Sequence, residues 1–306
     1  MIERREALTS ELITLRDYIR WGASRFNATG LFFGHGNDNA WDEAVQLVMH
    51  ALHLPVNSDP DVLNARLCLD ERKAVLALFE QRIFARIPAG HLTGESYFAG
   101  LPFTINKHVL VPRSPIAELI ENAYQPWLAQ EPQMILDLCT GSGCIGVATA
   151  LAFPYACVDL SDISAEAIAV AEKNIARYEL GDRVRAVESD LFTGLKGQCY
   201  DLIVSNPPYV DAEDLAAMPL EYQNEPEIAL ESGFDGLDFT RRLLLEAEYY
   251  LTDNGVLIVE VGNSWVHLEE AFMQVPFTWL EFERGGHGVF MLTIDELKQY
   301  RAEFTL

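Results

Sequence analysis

Ile135-Leu136-Asp137-Leu138-Cys139-Thr140-Gly141-Ser142-Gly143-Cys144-Ile145-Gly146 decides the fold. A short apolar run ends beside an acid, a glycine-rich turn follows, and small apolar residues resume at once. This is the pattern of a buried strand feeding a helix. Glycines here let the backbone turn tightly and approach a ligand, while the next helix offers free N–H groups. Outward from this stretch the alternation continues. Apolar runs at 134–138, 156–160, 184–187, 202–204 and 256–261 are bounded by turn residues, and helical stretches near Ile145 and over 165–178, 237–251 and 267–273 separate them. Such alternation predicts an α/β fold, a parallel sheet with helices on both faces. Two more strands, near 277–282 and 289–294, are joined by Arg284-Gly285-Gly286-His287-Gly288 without a helix, so the sheet is expected to end in an antiparallel hairpin.

Upstream the period is different. Leu12, Leu15 and Ile19 recur at helical spacing from Thr9 to Arg25, with Thr9 or Ser10 as the expected cap. Further helices are expected over 40–52 and 61–87, separated by Pro55 and the turn residues Asn57-Ser58-Asp59-Pro60. Tyr97-Phe98, Gly100-Leu101-Pro102-Phe103 and Ile105 read as a short hairpin. The expected organisation is a smaller all-helical domain over 1–90, a hairpin linker over 91–112 and the α/β domain over 113–306. A chain of 306 residues has room for both.

Composition narrows the function classes. Apolar residues at 49% and charged residues at 22% describe a folded chain. The net charge of −24, from 22 basic and 46 acidic residues, gives no general attraction to nucleic-acid phosphates or anionic lipid and favours a basic partner. Cys68, Cys139, Cys144, Cys157 and Cys199 form no CxxC pair and read as reduced core thiols, with no zinc site. Residues 1–11 lack the apolar region of a signal peptide, and 144–158 is too short and too interrupted to span a membrane. A soluble, cytoplasmic protein is expected. His50 and His53 stand one helical turn apart without a third ligand, and His287 reads as turn chemistry. No HExxH and no nucleophile triad argues for hydrolysis.

The candidate site begins at the glycine turn. Asp137 lies inside the strand end, where a carboxylate is costly unless it bonds loop amides or a ligand. Asp162, after the second strand, stands where an acid accepts both ribose hydroxyls, although Asp162 and Ser164 are also each able to cap the next helix. Asp190, after the third strand, is a further candidate. These residues suit either a dinucleotide or S-adenosylmethionine. The chemistry turns on Asp201-Leu202-Ile203-Val204-Ser205, which runs straight into Asn206-Pro207-Pro208-Tyr209. Two prolines terminate a buried strand rigidly, but they do not account for the flanking amide and aromatic ring. The Asn206 side-chain oxygen and the Pro207 carbonyl are two acceptors, enough to take both hydrogens of an NH2 group. Tyr209 offers a face for stacking. Such a site orients a poor nitrogen nucleophile and stabilises positive charge on it without a strong base.

Asp137, Gly141 and Gly143 resemble the DxxxGxG cofactor motif of class I methyltransferases, a family whose sheet typically ends with an antiparallel strand. Asn206 to Tyr209 resembles the NPPY signature of amino-group methyltransferases, which act on nucleic-acid bases or on glutamine side chains. More widely the chain resembles the HemK family of protein N5-glutamine methyltransferases. Gly100-Leu101-Pro102-Phe103, Val109-Leu110-Val111-Pro112-Arg113, Ser189-Asp190-Leu191-Phe192, Val204 to Tyr209, Glu225-Pro226, Ala229-Leu230 and Gly233 to Leu237 carry that likeness. The release-factor branch usually continues Pro-Arg with Pro-Asp-Thr. Arg113 is followed here by Ser114-Pro115-Ile116, which resembles the branch acting on large-subunit ribosomal protein three.

The resemblance implies S-adenosylmethionine as cofactor, held by Asp137, Cys139, Thr140, Gly141, Ser142, Gly143, Asp162, Asp190, Leu191 and Asn206. It implies Asn206, Pro207, Pro208 and Tyr209 as the glutamine-binding residues, with Asn206, Pro207 and Tyr209 carrying catalysis. The implied partner is a basic ribosomal protein, with no stable nucleic-acid binding and no membrane. Cys139 replaces a glycine of relatives, and Leu191 replaces an aromatic of some, with loss of any adenine stacking. Arg113 either contacts a ligand or ties the hairpin to the α/β domain. Segment 211–236 is read as a mobile lid, a substrate wall or a solvated connection, and the helical domain as a docking surface or structural support. A release-factor enzyme, a nucleic-acid amino methyltransferase and a nicotinamide oxidoreductase are the alternatives.

Overall fold

The computed structural model describes residues 2–304, with side chains from Ala7 onward; Met1, Thr305 and Leu306, at the outer ends of the expected domains, lie outside them. The chain forms two units, Met1–Glu95 with Pro219–Asn224, and Ser96–Met218 with Glu225–Leu306.

The first unit holds helices α1 (Ile2–Glu11), α2 (Leu15–Ala28), α3 (Ala40–Ala51), α4 (Leu69–Phe84) and α5 (Ala89–Thr93). Tyr18, Ile19, Phe26, Leu47, Val48, Leu76 and Phe79 form its core. Two helix starts differ from expectation. Thr9 and Ser10 sit in the last turns of α1, and the cap of α2 is Thr14, whose hydroxyl accepts the Asp17 N–H while Asp17 accepts the Thr14 N–H at 2.8 Å. The stretch expected as one helix from Asp61 is a 3-10 turn over Pro60–Asn64, and α4 begins only at Leu69. Between them the backbone is spent on a bridge from Thr14 to Arg66 and a bond from the Leu67 N–H to the Ile13 carbonyl.

Pro219–Asn224 belongs to this unit because of Glu221, which is buried with Arg82 at 3.1 Å and Arg86 at 3.3 Å and also accepts the Phe32 N–H. Arg82 pairs in addition with Glu43 and donates to the Phe32 carbonyl. A guanidinium taken out of water is tolerated only when its donors are matched in this way.

The second unit opens with the expected hairpin, β1 (Glu95–Phe98) and β2 (Leu101–Thr104), followed by α6 (Ile116–Glu121). Then β3 (Met134–Leu138), α7 (Cys144–Ala152), β4 (Cys157–Asp162), α8 (Ala165–Arg177), β5 (Val184–Glu188) and β6 (Tyr200–Ser205) alternate. After α9 (Ala212–Ala217) and α10 (Asp238–Glu246) come β7 (Leu251–Glu260), α11 (Trp265–Ala271), β8 (Thr278–Trp279), β9 (Val289–Thr293) and α12 (Ile294–Gln299). The sheet order is β5-β4-β3-β6-β7-β9-β8. All neighbours from β5 to β7 are parallel, and β9 is antiparallel to both β7 and β8, as the glycine-rich connection predicts. Alternate residues feed two cores: Ile135, Val158, Leu202 and Ile258 pack in one, Leu136, Ile203, Leu257 and Val259 in the other. The order reverses between β3 and β6, and ligands of open α/β sheets bind outside the carboxyl ends at such a point.

All five cysteines are free, but only Cys144 is buried and Cys139 half-buried; Cys68, Cys157 and Cys199 are exposed rather than core thiols. Cys68 precedes α4, Cys157 opens β4 and Cys199 lies in the loop before β6, all outside the packed middle of an element. Among the described residues no helix is long and apolar enough to cross a membrane.

Candidate active site

The β3–α7 loop is built around Asp137, which is fully buried. Its Oδ2 accepts from the Thr140 hydroxyl at 2.5 Å and from the Gly146 N–H at 2.8 Å, while Oδ1 has no partner among the described residues. Burial pushes this carboxyl up to about 7, the two hydrogen bonds opposing it. A Cβ at Gly146 would strike the Leu160 side chain and come within 2.8 Å of the Asp137 Cβ, so only glycine lets the helix approach the strand. Cys139 (φ 60°), Gly141 (φ 54°) and Gly143 (φ 80°) take left-handed backbone, which gives the loop its tight turns. On β6, the Ser205 hydroxyl donates to the Leu138 carbonyl at 2.6 Å and ties the two strand ends together.

Over this reversal lies a cavity of about 610 Å³. Cys139, Thr140, Gly141, Ser142, Asp162, Asp190, Leu191, Asn206 and Pro208 line it. The structure thus brings together most of the residues expected from sequence. Asp137, Gly143, Pro207 and Tyr209 are not on its wall. Asp137 braces the loop from behind instead of meeting a ligand, because its bonding oxygen is already consumed by Thr140 and Gly146. Gly143 is enclosed by Leu160 and Ala171. At Asp162 the two readings separate: Ser164 caps α8, its hydroxyl accepting the Ala167 N–H. Asp162 accepts the Gly141 and Ser164 N–H groups, both at 2.9 Å, and faces the cavity. Burial raises its pKa. Asp190 pairs with Arg242 at 2.9 Å, and Leu191, buried at φ 52°, gives the cavity apolar wall.

Asn206 leaves β6 directly into the cavity, and among the described residues its amide makes no hydrogen bond within the chain. Behind it, Tyr209 is fixed three ways. Its hydroxyl donates to Glu260 Oε1 at 3.1 Å, its carbonyl accepts the Ser264 hydroxyl at 2.7 Å, and its ring covers Gly262, where a Cβ would lie 2.5 Å from the ring. The second oxygen of Glu260 accepts from Ser114 at 2.5 Å, and burial pushes this carboxyl up to about 7. Arg113 ties rather than reaches: it makes two bonds to Glu225, at 2.7 and 2.6 Å, and Glu225 also accepts the Val111 N–H. Segment 211–236 is not one body, since 219–224 joins the helical unit whereas Ile228, Ala229, Glu231, Ser232 and Gly233 form cavity wall.

Glu260 and Arg242 were not singled out in the sequence, and Glu225 entered only as part of the family likeness, without a role. Glu260 carried a usable signal, the one that marks Asp137: an acid at the end of an apolar strand. Nothing local announced the pairing of Glu225 with Arg113 or of Arg242 with Asp190, because these partners are distant in the chain.

Charge selects among ligands. Asp162, Asp190, Glu231 and Asp238 face the cavity, and its two arginines, Arg113 and Arg242, are paired with Glu225 and Asp190. The first turn of α7, the usual phosphate cradle, gives its Gly146 N–H to Asp137. A pyrophosphate is disfavoured there, whereas a nucleoside carrying a positive sulfur is matched in charge and in its hydroxyl acceptor. A cavity of this character, at the switch point of this sheet, is that of a class I S-adenosylmethionine-dependent methyltransferase.

Residues 120–220 match the methyltransferase small domain family. The chain is 49% identical over 304 residues to the ribosomal protein uL3 glutamine methyltransferase of Francisella tularensis subsp. tularensis, covering 99% of this chain and 97% of that protein. It is 50% identical over 300 residues to the protein of the same name from Xanthomonas campestris pv. campestris, covering 98% and 97%. A solved methyltransferase from Pyrococcus furiosus aligns at 19% identity over 64% of this chain and 89% of its own, with a TM-score of 0.46. The chain belongs to the family of ribosomal protein uL3 glutamine methyltransferases.

Proposed function

We propose that this enzyme methylates the side-chain amide nitrogen (N5) of a glutamine in ribosomal protein uL3. The observation that carries the chemistry is Asn206, an amide with no hydrogen bond to any of the described residues, held at the cavity by a strand end and two prolines. The target follows from relatives that match almost end to end.

S-adenosylmethionine supplies a methyl group made electrophilic by its positive sulfur. Cys139 to Ser142, Asp162, Asp190 and Leu191 hold its nucleoside portion, Asp162 accepting from the ribose hydroxyls. Asp137 and Gly143 keep the loop open for it. An amide nitrogen is a poor nucleophile because its lone pair is delocalised into the carbonyl. The Asn206 oxygen and the Pro207 carbonyl would accept hydrogen bonds from its two N–H groups, turn the lone pair toward the methyl carbon and stabilise the positive charge that grows on nitrogen; as the N–C bond forms the C–S bond breaks, S-adenosylhomocysteine leaves, and the nitrogen gives up one proton to solvent. Tyr209, fixed by Glu260 and Ser264, keeps this pair of acceptors in place from behind. The helical unit contributes to docking of the protein substrate. A basic ribosomal protein is also the partner that a chain of net charge −24 attracts, and the same charge gives no general hold on nucleic acid; a ribosomal substrate supports a cytoplasmic reaction.

Labelled S-adenosylmethionine, incubated with the enzyme and extract of cells lacking this gene, tests the proposal. Label is expected on a glutamine of uL3. Label on a release factor would move the enzyme to the sister branch, and nuclease-sensitive label would leave the NH2 chemistry intact with a different substrate.

A further inference from the structure

Phe234 is 90% exposed, yet the turn that carries it is firmly tied down. The Asp238 and Phe239 N–H groups bond the carbonyl and hydroxyl of Ser232 at 3.1 and 3.0 Å. Asp235 takes two bonds from Arg241, at 2.9 and 2.5 Å, and one from the Leu237 N–H, and His267 Nδ1 lies 3.0 Å from its carbonyl. Gly236, at φ 75°, packs so closely on the Tyr209 carbonyl and the Ser264 side chain that a Cβ would strike both. The turn is therefore fixed against the backbone of the Asn-Pro-Pro-Tyr motif. A single exposed apolar side chain is ordinary. One held in solvent by a pre-ordered turn beside a reaction cavity is arranged for a partner, because little freedom remains to be lost on binding.

The surroundings specify the partner. Ser232 and Gly233 line the cavity, as do Ile228, 59% exposed, and the exposed acids Glu231 and Asp238. Apolar and acidic side chains thus alternate along this rim. Phosphate backbone is repelled by such a surface, whereas an extended peptide bearing both cationic and apolar side chains is matched.

We infer that the turn 232–238, with Ile228 and Glu231, is the docking rim for a cationic segment of the substrate protein flanking the methylated glutamine, Phe234 receiving an apolar side chain of that segment. The inference rests on the glutamine-methylation reading. It is tested with the full-length enzyme, purified uL3 and initial rates. Phe234→Ala should raise the KM for uL3 about tenfold, with kcat within about twofold and unchanged affinity for S-adenosylmethionine. Phe234→Leu should restore most of the loss, and Glu231→Lys should raise KM again and weaken its dependence on salt. An unchanged KM in Phe234→Ala, with wild-type turnover intact, would overturn the rim. Competition by transfer RNA that acts on wild type but not on Phe234→Ala would overturn it in favour of nucleic acid. No transfer to uL3 by the wild-type enzyme would instead remove the functional reading, and the inferred occupant with it.

Discussion

Asn206 makes its contribution with one oxygen, and that sets what its removal should do. Asn206→Ala should lower kcat/KM by about 10³-fold, while cofactor affinity, read by calorimetry, should be largely preserved; unchanged turnover would remove the acceptor pair. Glu260 lies behind the same motif and responds to pH. Its carboxyl is raised by burial to about 7, so the folded state binds a proton that the unfolded chain has already released between the ordinary carboxylate range and pH 7. Its contribution to stability therefore falls as pH rises through that window and stays low above it. Asp137, also raised to about 7, acts with the same sign. Glu260→Gln removes one of the two, so the melting temperature of the variant relative to wild type should rise from pH 5 to pH 8, read by thermal melts. Asn206 was legible because a polar residue beside two prolines at a strand end has no structural explanation. Tyr209 was legible as part of that motif, but its position off the cavity wall was not, since Glu260 is far away in the chain.

The β3–loop–α7 element rests on a close approach rather than on helix propensity. Gly146 has no room for a methyl group between Leu160 and Asp137. Gly146→Ala should cost about 3 kcal/mol, measured by urea unfolding, and Leu160→Ala in the same chain should recover part of it by opening space. Elements of this kind could be read from sequence because a buried parallel strand must be apolar on both faces and must stop at turn residues. The elements that escaped are those whose signal is shared. Thr9, Ser10 and Thr14 are all good caps, and only the Asp17 carboxylate, reaching back to Thr14, decides among them. Val62 and Leu63 fit a helical period, yet the backbone beyond them is drawn into the bridge with Thr14. α12, which follows the terminal hairpin, has only two buried positions, Ile294 and Leu297, too few to register as a period.

Across the whole chain, the two units are each defined by a different kind of burial: helix faces on one side, a seven-stranded sheet on the other. The helical unit depends on a segment that follows the catalytic motif in sequence. Glu221→Ala would leave Arg82 and Arg86 short of a carboxylate in a buried place, at a cost of about 3 kcal/mol. Hydrogen exchange should rise in α4, with β3 and β6 unaffected; equal protection in α4 would show that Glu43 alone satisfies Arg82. Nothing local in Leu220-Glu221-Tyr222 announces this role, because acids are common in this chain and the arginines lie more than a hundred residues earlier. The route of the chain bears on how such a protein is inherited. The unit boundaries fall after Glu95, Met218 and Asn224, so the helical unit is not a cassette that one recombination can move. A crossover at Glu95 alone would deliver two arginines to a host without their acid, and a faithful exchange requires three joined breakpoints. The helical unit and the methyl-transfer sheet are thereby bound to share one lineage.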